Sequence, residues 1–184
     1  KDFNQLIISY IDFLEKEHSL KLNAIYGHSN GGRVLLEALP KLDKKLNVFL
    51  VASAGLPFRK NLFQKIVSYL SPIAKLLKYI PFFKFFRKIL LKSIKAHDYL
   101  NVKDSMKGTF LNLINYNAAE NLRYIPQECH LIYGDEDKLT PIYMAEEFKK
   151  GIKNSKLVIL PNMTHGIHIK NPDFLATYIN QHTS

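Results

Sequence analysis

Four short apolar runs, at 22–26, 48–52, 130–133 and 156–160, alternate along the sequence with segments of helical spacing. Over 2–17, Phe3, Leu6, Ile7, Tyr10 and Leu14 recur at helical intervals with charges on the other face. The pattern turns helical again at 34–39, where Pro40 stops it, and helices are expected at about 142–150 and from 173 to about 179. The run at 48–52 has neither alternation nor charge, as in a strand buried on both faces. Strands that alternate with helices predict an α/β fold: a mostly parallel sheet flanked by helices.

The length of 184 residues suits one domain, or one domain with a sizeable insertion. With 47% hydrophobic and 23% charged residues, the composition excludes a disordered or collagen-like chain. Uncharged stretches fall short of the roughly 18 residues of a membrane-spanning helix. Cys129 is the single cysteine, which excludes a disulfide framework and a cysteine-based metal site.

The net charge of +10 is unevenly placed. From Lys44 to His97 there are twelve Lys and Arg and no Asp or Glu, whereas the rest of the chain holds 14 basic and 16 acidic residues. The basic segment has helical pattern. Leu62, Phe63, Ile66, Val67 and Leu70 share one face, and Phe82, Phe85, Phe86, Ile89 and Leu90 another, with Pro72 and Pro81 as breaks. A further helix is expected at roughly 102–115. Short amphipathic helices therefore interrupt the strand–helix alternation between Ala52 and His130. Nucleic-acid binding would rest on the overall charge alone, without a binding module, and is not expected.

Chemistry is suggested where the first apolar run ends. Gly27-His28-Ser29-Asn30-Gly31 is a G-x-S-x-G motif between a strand and a helix. A serine nucleophile needs a sharp turn there to project its hydroxyl, and flanking glycines remove Cβ atoms that would clash. The helix that follows turns its free N–H groups toward developing negative charge. A serine also needs a histidine base, oriented by a carboxylate. Asp135 and Asp137 lie in the loop after the third apolar run, and His165 in the loop after the fourth, with His168 and His28 as competing histidines. Three loops, each at the carboxyl end of an expected parallel strand, thus supply the three residue types at the edge where open α/β sheets bind ligands.

With these motifs the sequence resembles the α/β-hydrolase family. The resemblance rests on Gly27-His28-Ser29-Asn30-Gly31-Gly32, on the Gly134-x-x-Asp137-x-x-x-Pro141 loop, and on His165 followed seven residues later by Pro172 and a closing helix. It implies Ser29 as nucleophile, Asp137 as the acid, His165 as the base and the Asn30 N–H as an oxyanion donor, in a serine hydrolase acting on an ester, thioester or amide. Asp135 would then be a loop or capping residue, and His28 a packing residue of the elbow. Thr164 departs from the glycine usual before the histidine.

The resemblance further assigns residues 56–120 to a helical cap or lid, between core segments 1–55 and 121–184. Such a cap would roof a pocket for a small-molecule substrate with an apolar acyl portion, and its lysines could meet an anionic membrane surface; the competing reading is a solvated outer face. No cofactor or metal is implied. One helix precedes the strand that carries Ser29, so the early strands and the loop giving a second oxyanion donor are expected to be missing, as in an N-terminally truncated member with little activity of its own. The alternative function is a non-catalytic hydrolase-like protein that binds lipid or a membrane surface through its basic cap. A cytoplasmic location, peripheral to membrane at most, is expected; because the sequence starts at Lys1, it offers no native N-terminus from which to judge a signal peptide.

Overall fold

Successive side chains of a strand point to opposite faces, so a strand buried on both sides divides its residues between two cores. The computed structural model describes residues 3–19, 21–57, 108 and 116–183. In chain order these form α1 (Phe3–His18), β1 (Ala24–His28), α2 (Asn30–Ala38), β2 (Asn47–Val51), β3 (Glu128–Gly134), α3 (Ile142–Gly151), β4 (Ser155–Leu160), α4 (Ile167–Lys170) and α5 (Pro172–Gln181). Single 3₁₀ turns lie at Leu39–Lys41, Ala118–Glu120 and Leu122–Tyr124.

The four strands form one sheet in the order β1-β2-β3-β4, with every neighbouring pair parallel. In β2, Val48 and Leu50 join a core with Leu35 and Leu36 of α2 and Met144, Ala145 and Phe148 of α3. Phe49 and Val51 point the other way, into a core with Ile132, Ile167 and Leu175 that Phe174 and Tyr178 of α5 help to cover. The expected α/β fold, a parallel sheet flanked by helices, is the fold observed. Burying each large apolar side chain contributes about 1.5–3 kcal/mol, which is why β2 carries no charge.

Helix α1 lies on the α2 side. Its Ile11 packs with Leu42 and Leu46, and Ile7 and Ile25 join that cluster to the main core. Lys44 binds Asp12 at 2.9 Å and Glu15 at 2.5 Å, tying α1 to the approach of β2. Strand β1 pairs with β2 alone among the described residues. Tyr26, in register with Phe49, is 42% exposed while Phe49 is fully buried.

The chain divides into two compact units, Lys1–Leu56 with Tyr116–Ser184, and Pro57–Asn115. All elements above belong to the first. The second coincides with most of the basic helical segment and, apart from Pro57 and Gly108, lies outside the described residues. The expected cap, and the lysines expected to meet a membrane surface, therefore fall almost wholly outside the described residues. Residues 116–120, which the sequence reading places in the inserted segment, fall in the first unit, where Ala118 is buried in the main core. No helix among the described residues is long and apolar enough to cross a membrane.

Candidate active site

Because all four strands are parallel, their carboxyl ends meet at one edge of the sheet. Ser29 follows β1 there, Asp137 follows β3 and His165 follows β4. The turn at Ser29 is sharp, with φ 54° and ψ −118°. A positive φ is costly for a residue with a side chain, and persists only where the surroundings over-determine it. Here the Ser29 N–H donates to Val51 O at 3.1 Å, and its carbonyl accepts from Ala54 N–H at 3.0 Å and Arg33 N–H at 3.3 Å. The backbone is thereby held to the end of β2 on both sides of the strained residue.

The glycines of the motif divide their work differently from the sequence expectation. A Cβ on Gly27 would come within 2.6 Å of Leu35 Cδ1 and 2.8 Å of Gly32 Cα. At Gly32 it would overlap the Ser53 hydroxyl. At Gly31 nothing lies within 4 Å of that position. Close packing of α2 against the strand ends therefore needs Gly27 and Gly32, and Gly31 is not needed for want of space. Asn30 is the first residue of α2, where N–H groups have no acceptor within the helix.

The three chemistry-bearing side chains are in line. His165 Nε2 is 2.9 Å from Ser29 Oγ, and His165 Nδ1 is 2.8 Å from Asp137 Oδ2. An ionised carboxylate only accepts, so Nδ1 carries the proton and Nε2 presents its lone pair to the serine hydroxyl. The Asp137 side chain is fully buried and that of His165 is 21% exposed. Asp135 does something else: it is exposed, and its Oδ1 accepts from Met163 N–H at 3.3 Å.

A residue that the sequence reading did not single out completes the acid's surroundings. Thr140, 2% exposed, donates its hydroxyl to Asp137 Oδ2 at 2.6 Å and its N–H to Oδ1 at 3.0 Å. Leu139 N–H adds a third donor, to Oδ1 at 2.8 Å. The D-x-x-T spacing is a local signal for such a turn, since an aspartate commonly binds backbone N–H groups two and three residues on. Burial pushes the Asp137 carboxyl up, but the bonds from His165, Thr140 and Leu139 outweigh it and hold it below the usual carboxylate range.

His28 and His168 stand beside this line. The His28 ring centroid is 4.8 Å from that of His165 and 4.3 Å from that of His168. A surface depression flanks Asp137 and His165, bounded by Glu136, Lys138, Leu139 and Thr164. Among the described residues, no group of three His, Cys, Asp or Glu side chains is arranged to hold a metal ion.

No family model and no curated protein matches the sequence. Solved structures do resemble this one. An esterase from Exiguobacterium antarcticum superposes with a TM-score of 0.65 at 16% identity, over 100% of this chain and 75% of its own. An alpha/beta hydrolase enzyme from the metagenome of lagoon sediments at Mar Chica, Morocco, gives 0.61 at 16% identity, over 97% of this chain and 68% of its own. A serine hydrolase involved in carbazole degradation gives 0.60 at 17% identity, over 98% of this chain and 71% of its own. The chain has the α/β-hydrolase fold.

Proposed function

We propose that the protein is a serine hydrolase that cleaves an ester, thioester or amide bond through an acyl-enzyme. The observation that carries this reading is the unbroken hydrogen-bonded line from Ser29 Oγ through the two nitrogens of His165 to Asp137 Oδ2, at 2.9 and 2.8 Å. The similar solved structures, described as an esterase and hydrolases, support it at the level of fold.

As Ser29 Oγ attacks the substrate carbonyl carbon, its proton passes to His165 Nε2. Asp137 keeps the Nδ1–H oriented and stabilises the imidazolium that forms. The carbonyl oxygen becomes an oxyanion near the start of α2, where the Asn30 N–H is the candidate donor. His165 then gives its Nε2 proton to the leaving group, and the acyl group stays on Ser29 Oγ. Water, losing its proton to Nε2, attacks the acyl carbon, and the proton returns to the serine as the acid departs. These steps call on no metal or cofactor. The depression beside His165 is otherwise bounded by polar and charged side chains, and Leu139, 49% exposed, is where an apolar portion of the substrate would rest.

The test is covalent labelling with a fluorophosphonate. Modification of the wild-type chain that disappears in Ser29→Ala, and falls at least about 10³-fold in His165→Ala, is the expected result. A folded wild-type chain that resists the probe would overturn the proposal and favour a non-catalytic protein on the same fold.

A further inference from the structure

The residue before the nucleophile grips the residue that carries the base. His28 Nε2 lies 3.0 Å from the backbone carbonyl oxygen of His165, across 137 positions of sequence. A carbonyl oxygen only accepts, so His28 must donate, and Nε2 must carry a proton. His28 ends β1 and its side chain is part-buried, so this donor is set by the sheet, not by a flexible loop. The acceptor belongs to the loop between β4 and α4, whose own ties run to the β3 loop, through Met163 O with Glu136 N–H and Met163 N–H with Asp135. The bond from His28 therefore joins the strand of the nucleophile directly to the backbone of the base.

We propose that His28 is a positioning residue, whose Nε2–H holds the His165 carbonyl and so fixes the imidazole between Ser29 and Asp137. The proposal rests on the serine-hydrolase reading for its consequence, since the distances it maintains are those over which the proton would move. The bond needs only a proton on Nε2, which the neutral ring supplies as well as the charged one. Burial disfavours the charged form, and the His165 and His168 rings add to that. The bond to the His165 carbonyl and the nearby Asp137 act in the opposite sense without prevailing. A neutral ring lets His165 take up a proton 4.8 Å away without a second positive charge beside it.

The experiment uses the full 184-residue chain with ¹⁵N-labelled histidine, read by nuclear magnetic resonance. The His165 Nδ1–H bound to a carboxylate should give a low-field proton resonance, assigned by its absence in Asp137→Asn. It should survive in His28→Gln, whose amide N–H can donate in place of Nε2–H, and be lost in His28→Leu, which fills the space without a donor. Retention in His28→Leu would overturn the proposal, and so would loss in both variants. Should His28→Leu fail to fold, the wild-type ring decides: imidazole ¹⁵N shifts are expected to show His28 protonated at Nε2, and protonation at Nδ1 alone would overturn it. None of these readouts needs turnover. A wild-type chain with the low-field proton intact that nevertheless resists fluorophosphonate would count against the hydrolase reading alone.

Discussion

Gly134 and Met163 lie backbone to backbone: a Cβ built on Gly134 would fall inside the van der Waals envelope of the Met163 carbonyl oxygen. Gly134 ends β3 three residues before Asp137, and Met163 precedes His165 by two. The same carbonyl accepts from Glu136 N–H at 3.0 Å, and Met163 N–H binds Asp135. The loop of the acid and the loop of the base thus share one seam. Gly134→Ala must push that seam apart, and a displacement of about 1 Å at reacting groups costs on the order of 10² in rate. We expect fluorophosphonate labelling of Ser29 to slow by about that factor in a chain that still folds. An unchanged labelling rate would show that the seam does not set the site.

Thr140→Val removes one hydroxyl and keeps the volume. It leaves the buried Asp137 carboxylate one donor short, a loss of about 1.5–3 kcal/mol for a hydrogen bond to a charged group. The effect depends on pH with a definite sign. Asp137 titrates lower in the fold than in the unfolded chain. Its stabilising contribution is therefore fully present above the unfolded value near 3.9, and is lost as pH falls through the lower folded value. The gap in urea stability between wild type and Thr140→Val should be open at pH 7 and close below about pH 4. Thr140→Ser should restore most of it. A gap that is independent of pH would assign the loss to packing.

His130 predicts a second acid-side effect, at higher pH. Its side chain is fully buried between Phe49 and α5, with Nδ1 3.1 Å from the Tyr178 hydroxyl and the His182 ring 4.7 Å away. Glu128 Oε1 approaches Nε2 to 3.4 Å without hydrogen-bonding it, and is itself held by Lys156. Burial first, then His182, then Lys156, depress His130 against the opposing pull of Glu128, so the neutral ring prevails. The unfolded chain then binds the proton first as pH drops below about 6.5, and the fold loses stability there. His130→Asn should flatten the fall in thermal midpoint between pH 7 and pH 5.5. An equally steep fall would place the linkage elsewhere.

Cys129 should be inert in the folded protein. Burial, with Glu128 beside it, pushes its thiol up to about 12, and reactivity follows the thiolate. An aromatic disulfide reagent at pH 8 is expected to leave the native chain unmodified and to modify the single thiol once denaturant is added. Rapid modification of the native protein would contradict the packing of β3.

Much of this was readable in the residues, and the exceptions have physical causes. The apolar run at 48–52 maps onto β2 within a residue because nothing else can be buried on both faces. The order of the serine, aspartate and histidine loops was legible because a parallel sheet brings every carboxyl end to one edge. Strand β1 runs on through Gly27 and His28, beyond the apolar run, because pairing with Leu50 and Val51 outweighs local preference. Helix α2 opens at Asn30, directly after Ser29 as the motif implies, although Asn30-Gly31-Gly32 are poor helix formers and the apolar periodicity begins only at Val34. The four-residue α4 is too short to show a period. His28 met His165 across a distance in sequence that no local pattern records.

The position of β1 at the margin of the described sheet has a kinetic consequence. Proteins open in pieces, and the pieces with fewest ties open most often. The acid and the base sit on adjacent strands joined by a common seam, so they part only when that half of the core yields. Ser29 follows β1, which has a single strand partner among the described residues; beyond the backbone bonds of Ser29 to the end of β2 and to α2, a further tie to the other half is the His28 bond to His165. Fraying of this one strand would carry Ser29 away and leave Asp137 and His165 still paired. Among the described residues, the lifetime of the contact between Ser29 and His165 is then set by the opening of β1, before the core around β3 and β4 yields.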